Sequence, residues 1–100
     1  MDPNNKNAIN NKAALLVSLG KFDQAIQYYD KALSIDPNNV RAPINKGRSL
    51  SQLHRFEEAI SNYDRTLKID PQNTDAYLNK DFHFTTWEKM LKQLKILIKY

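Results

Sequence analysis

Apolar residues recur along this chain at helical spacing, in two successive sets. Ala8, Leu15, Leu16 and Leu19 predict one apolar stripe on a first helix. Gly20-Lys21 predicts a turn, and Phe22, Ala25, Ile26, Tyr29 and Leu33 then follow the spacing of a second helix over about three turns. Asp36-Pro37 ends that helix, because proline disfavours helix in the residue before it and cannot donate to the helical ladder. Leu50 and Leu53, then Phe56, Ala59, Ile60, Tyr63 and Leu67, repeat the plan. Pro43 falls early in its helix, and is tolerated only in the first turn, where its missing N–H would go unpaired in any case. A last stripe, Trp87, Met90, Leu91, Leu94, Leu97 and Ile98, carries Lys89, Lys92, Lys95 and Lys99 largely beside it.

The sets are copies. Asp36-Pro37-Asn38-Asn39 returns as Asp70-Pro71-Gln72-Asn73, 34 residues later, and Asp2-Pro3-Asn4-Asn5 stands 34 residues earlier. Residues 6–39 align with 40–73 without a gap, and 15 of the 34 positions are identical, among them Ala8/Ala42, Asn11/Asn45, Lys12/Lys46, Leu16/Leu50, Ala25/Ala59 and Tyr29/Tyr63. A third unit opens in register, with Ala76, Asn79 and Lys80, and then departs from the pattern: Asp81 replaces Ala13/Gly47, Gln93 replaces Ala25/Ala59, and no Gly or Pro follows Pro71. A carboxylate at a close helix–helix contact would be desolvated. Two readings of the tail remain. Thr85-Thr86-Trp87-Glu88 fits a capping box and favours a fresh helix start near Thr86; the other reading is one continuous helix from about Asp75 to Lys99.

This pattern resembles the tetratricopeptide repeat family over residues 2–80. The resemblance rests on the 34-residue period, the Asp-Pro closures, the small residues Ala13 and Gly47, the alanines Ala25 and Ala59, and the aromatics Tyr29 and Tyr63. It departs at the family's first-helix tryptophan (Ile9, Pro43, Tyr77), leucine (Lys12, Lys46, Lys80) and tyrosine (Leu16, Leu50, Phe84). The implied fold is all-α, a right-handed superhelical array of antiparallel helix pairs with a C-terminal helix. Residues 1–100 form a single domain: 6–39 is repeat one, 40–73 repeat two, and 74–100 a partial repeat with a terminal helix. Stacks normally need at least three units, so the opening Asp-Pro-Asn-Asn suggests descent from a longer array.

Composition narrows the chemistry. With no cysteine, thiol catalysis, disulfides and thiolate metal sites are excluded. No apolar run approaches the roughly 20 residues of a membrane span, and the polar, acidic start does not read as a signal peptide; a cytoplasmic setting is the expectation. Only two glycines occur, so there is no phosphate-cradling loop. His54 sits in the turn slot of Gly20 and reads as a solvated turn residue. His83 stands apart from any second ligand, and Glu57-Glu58, Asp30 and Asp64 read as solvated helix faces. Neither a catalytic constellation nor a cofactor or metal site is predicted. The net charge of +4 comes partly from the lysines of the tail. No aromatic residues interleave with them as a single-strand binder needs, so they read as the solvated face of an amphipathic helix rather than a nucleic-acid surface; contact with an anionic membrane surface is a weaker alternative.

The family resemblance implies a concave groove lined by first helices: Asn7, Asn10, Asn11 and Ala14; Arg41, Ile44, Asn45 and Arg48; Asp75, Leu78, Asn79 and Phe82. Asn11, Asn45 and Asn79 share one slot and are expected to form a ladder that can both donate to and accept from a peptide backbone. Arg41 and Arg48 add positive charge for a carboxylate. Domains of this family that clamp the C-terminal carboxylate of chaperone tails use two lysines, two asparagines and an arginine at slots that here hold Asn10, Ala14, Asn45, Asp75 and Asn79. Only Asn45 agrees, so such a tail is not the expected ligand. The expectation is a non-enzymatic module that binds a protein or peptide through Asn10, Asn11, Arg41, Asn45, Arg48 and Asn79. The alternative is a self-associating unit that exchanges its terminal helix through Trp87, Met90, Leu91, Leu94, Leu97 and Ile98.

Overall fold

A computed structural model describes residues 5–99, and Asp2, Pro3 and Asn4 of the first closure motif lie outside them. Five α-helices occupy the described residues: α1 (Lys6–Ser18), α2 (Phe22–Ile35), α3 (Arg41–Gln52), α4 (Phe56–Ile69) and α5 (Thr74–Lys99). Helix α1 packs on α2, α2 on α3, α3 on α4 and α4 on α5, so the elements stack in chain order, each repeat on its neighbour.

The closure motif does its work through its last residue. Asn5, Asn39 and Asn73 stand one repeat apart, and each side chain caps a first helix. Asn5 Oδ1 accepts from the Asn7 and Ala8 N–H groups, Asn39 Oδ1 from those of Arg41 and Ala42 at 2.9 and 3.0 Å, and Asn73 Oδ1 from that of Ala76 at 3.0 Å. These bonds satisfy N–H groups that the helix itself leaves orphaned. The turn between the helices of a pair needs one left-handed residue, supplied by Gly20 (φ 74°) and by His54 (φ 61°).

Helix α1 buries only part of the expected stripe, Leu16, and adds Ile9 and Ala13 to it. Ile9, Ala13 and Leu16 are buried, whereas Leu15 and Leu19 are more than half exposed. At about 100° per residue, Ala8, Leu15 and Leu19 lie a quarter turn away from the buried three. Their counterparts in repeat two show what that second stripe is for. Ala42 is buried against Ile9, Ala32 and Leu33 of repeat one, and Ser49 is buried as well. The side stripe is thus an inter-repeat face: among the described residues Ala42 and Ala76 each meet a preceding repeat, and Ala8 does not.

A further inter-repeat device explains one departure from the family pattern. Lys46 Nζ lies 2.6 Å from Asp30 Oδ1, and Lys80 Nζ lies 2.7 Å from Asp64 Oδ1, so the same ion pair recurs between successive repeats. Bonding to Asp64 raises the Lys80 pKa. The aspartates expected as solvated faces are therefore solvated and paired.

The tail is one continuous helix, which corrects the reading that favoured a new start near Thr86. Thr85 and Glu88, the expected capping pair, both lie inside α5, and the neighbouring Thr86 Oγ1 donates to the Phe82 carbonyl of the same helix. Two features account for this. Glu88 occupies the left-handed slot of Gly20 and His54, and a strong helix former stays helical there. Asp81 and Gln93 occupy the two small-residue slots at which the helices of a pair approach, so a folded-back hairpin could not close. Asp81 is exposed, with no helix facing it. The result is a rod-like extension that stretches the molecule to 57 × 30 × 18 Å.

Candidate functional site

The first helices and α5 enclose a groove of about 880 Å³. Ala14 and Val17 of α1 form one wall. Asn45, Arg48, Ser49 and Gln52 of α3 form the floor, and Asp75, Leu78, Asn79, Phe82 and His83 of α5 form the far wall, with Phe22 and Tyr29 of α2 behind. The site is built by periodicity: residues one repeat apart occur at equivalent turns of successive first helices.

Its polar groups are partly committed to one another. Arg48 Nε donates to Asn79 Oδ1 at 3.3 Å, and Asn79 Nδ2 donates to the Asp75 carbonyl at 2.7 Å. Asn45 makes no side-chain hydrogen bond among the described residues, which leaves its amide open to the groove. The Ser49 hydroxyl is buried at the floor without a partner. Arg48 is the charge at the centre; its field lowers the pKa of Tyr29, Tyr63 and His83, although burial raises both tyrosines overall. A groove with apolar walls, one exposed guanidinium and one open amide can take an extended segment with apolar side chains and a carboxylate.

The expected site residues divide. Asn45, Arg48 and Asn79 come together in the groove. Arg41 lies beside it, in a shallow hollow with Ile44, Asn45, Arg48 and Asp75. Ile44 belongs mainly to the core, with Leu50 and Tyr63. Asn10 and Asn11 do not line the groove: Asn10 is half-buried and Asn11 exposed. The expected asparagine ladder is not linked by hydrogen bonds, because Asn79 turns to Arg48 and to its own helix.

One residue of the groove has a partner that its place in the sequence did not show. His83 is not isolated: its ring stacks on Tyr63 with centroids 5.7 Å apart, and its Nδ1 lies 2.9 Å from the Tyr63 hydroxyl. The signal was position, since His83 shares the slot of Ser49, which the repeat buries. Burial lowers the His83 pKa, and the Arg48 charge adds to that, against a hydrogen bond with Asn79. The folded state therefore takes up the His83 proton at lower pH than the unfolded chain does. Its contribution to stability is complete above about pH 6.5 and is lost as the pH falls through the depressed folded value. Urea midpoints measured at pH 5 and pH 7.5 are expected to differ, and His83→Gln is expected to shrink that difference.

Among the described residues, no group of three or more His, Asp or Glu side chains could hold a metal ion, and no helix is long and apolar enough to cross a membrane.

Comparison with known proteins follows this geometry. Two family models described as tetratricopeptide repeat match residues 7–39 and 40–73. No curated protein matches the chain. Among solved structures, the Arabidopsis OM64 TPR domain is 30% identical, with a TM-score of 0.79 over 85% of this chain and 70% of that one. The first TPR of Spaghetti (RPAP3), solved bound to the HSP90 peptide SRMEEVD, is 26% identical, with a TM-score of 0.79 over 85% of this chain and 68% of that one. The TPR2AB domain of yeast Sti1, solved in a complex with an HSP90 peptide, shares the fold at 19% identity and a TM-score of 0.81, over 95% of this chain and 37% of that one.

Proposed function

This chain belongs to the tetratricopeptide repeat family, and from that premise we propose that it is a non-enzymatic interaction module whose groove holds an extended segment of a partner protein. The observation that carries the reading is the convergence of the open Asn45 amide and the exposed Arg48 guanidinium between the apolar walls formed by Val17, Leu78 and Phe82. The amide pairs with the segment's backbone, Arg48 with an acidic side chain, and the walls with apolar side chains on either side.

Neighbours bound to HSP90 peptides support a peptide as the class of ligand. The residues present argue for a different peptide. At the slots that clamp a chain-terminal carboxylate this chain has Asn10, Ala14, Asn45, Asp75 and Asn79. Asp75 places negative charge on the groove wall, where it would repel a terminal carboxylate. An internal acidic residue next to Arg48, away from Asp75, fits better.

Peptide display against the purified domain tests this, run beside Asn45→Ala/Arg48→Ala and, separately, Asn11→Ala, each checked for its helical signal. The parent and Asn11→Ala are expected to enrich one consensus with an internal Asp or Glu. Loss of the Arg48 bond is expected to weaken a consensus peptide about 10- to 100-fold. Enrichment that survives in the double variant would move the binding site elsewhere.

A further inference from the structure

Beyond the groove, α5 leaves an apolar face without a partner. Its N-terminal half buries Ala76 and half-buries Lys80, His83 and Trp87, at steps of four, three and four residues, along α4. Trp87 reaches the end of the body, in a hollow with His54, Phe56 and Glu57. Past that point the same face continues as Met90, Leu91, Leu94, Leu97 and Ile98, all exposed, and Ile98 is 76% exposed. A stripe that runs from packed to bare along one helix face is a docking surface whose near end is already built.

We propose that a second copy of this chain covers it, as a two-fold antiparallel pair of projecting α5 helices. The spacing Trp87, Leu91, Leu94, Ile98 (four, three, four) is that of a coiled-coil seam. The seam is self-complementary about a point between Lys92 and Gln93. Two-fold rotation there sets Leu91 against Leu94 of the other copy, and Trp87 against Ile98, so every seam residue meets an apolar partner. The flanks agree. On one side Glu88 faces Lys95 of the other copy; on the other Met90 faces Leu97. Lys89, Lys92 and Lys99 fall outside the seam. Within one copy Glu88 holds Lys92 only loosely, at 3.4 Å with both side chains half exposed or more, so its carboxylate is available across the pair. A parallel in-register pair would set Met90 beside Lys95 of the other copy, would leave Glu88 without a lysine across the seam, and would stack Trp87 on Trp87. The antiparallel register matches both flanks.

Multi-angle light scattering and sedimentation of the full chain across a concentration series test the pair, with the emission of Trp87, the single tryptophan, as a second readout. The expected result is a concentration-dependent dimer whose tryptophan emission shifts to the blue as it forms. Leu91→Glu/Leu94→Glu, at two exposed positions of α5, is expected to keep the helical signal and to raise the dissociation constant at least about 100-fold. Glu88→Lys and Lys95→Glu should each weaken the dimer severalfold, and the two together should restore it, as only the antiparallel register predicts. A chain that stays monomeric up to its solubility limit overturns the proposal, as does a dimer indifferent to the Leu91/Leu94 variant. Failure of the charge swap to restore the dimer overturns the register. None of these outcomes depends on the groove.

Discussion

Tyr63→Ala is expected to remove about 3–5 kcal/mol of stability, a large share of the total in a domain whose whole margin is about 5–15 kcal/mol. The side chain is fully buried and lies in the cluster of Ile26, Ile44, Leu50, Ala59 and Ala76, which draws on all three repeats. Deleting the ring opens a cavity that helices held at both ends cannot collapse to fill. It also strands His83, whose Nδ1 loses its 2.9 Å partner and whose ring loses its stacking surface. Urea denaturation followed by circular dichroism measures the loss. Tyr63→Phe separates the parts: it keeps the ring and is expected to cost about 1 kcal/mol, the usual net worth of a hydrogen bond. The equivalent Tyr29→Ala should cost less, because the buried cluster of Tyr29, with Ala13, Leu16 and Ala25, lies within its own repeat. Equal losses at the two tyrosines would mean that the central cluster does not couple the repeats.

Gly47→Ala is expected to cost about 1–3 kcal/mol through overpacking, although alanine is the better helix former by roughly 0.8–1.0 kcal/mol. A Cβ at Gly47 would stand 2.8 Å from Tyr63 Cζ and closer still to its Cε1. Repeat one carries Ala13 at this slot, buried beside Tyr29. The difference is that the Tyr63 ring cannot retreat, because His83 stacks on one face of it and bonds its hydroxyl. The test is a double-mutant cycle. Gly47→Ala should be milder in a His83→Ala background, where the ring has room to move. A penalty unchanged by His83→Ala would show that the ring is held by something else, and a net gain in stability would show that the contact relaxes freely.

The fold was legible because its instructions are local and repeated. The Asp-Pro closures and the turn slots of Gly20 and His54 each specify their geometry within a few residues, and a second copy 34 residues on removes ambiguity from the first. What the sequence hid was the outcome of contacts between copies. Leu15 and Leu19 look like core residues by type, yet they lie on a stripe that only a preceding repeat can bury. Helix α5 gave conflicting cues. Thr85 and Glu88 have the chemistry of a cap, but a cap forms only if the chain turns, and the turn needs a residue at position 88 that accepts positive φ. The groove was half legible. Residue type and slot located Asn45, Arg48 and Asn79. Nothing local could show that Asn10 and Asn11, on a helix with fewer neighbours, stand clear of it, or that Arg48 would engage Asn79.

The lysine–aspartate pairing between repeats also gives the molecule a polarity that bears on how copies can meet. Each joint takes a lysine from the later unit and an aspartate from the earlier one, as in Lys46–Asp30 and Lys80–Asp64. At the leading face Lys12 occupies the lysine position. In the third unit the aspartate position holds Ile98, on the projecting part of α5 and not on a second helix. The joint therefore runs in one direction through the described repeats and stops where α5 fails to fold back. An open filament grows by repeating one heterologous contact, whereas a two-fold contact consumes both of its surfaces and stops. The lysine–aspartate joint is of the first kind, directional from one unit to the next, and the pairing of α5 faces proposed above is of the second.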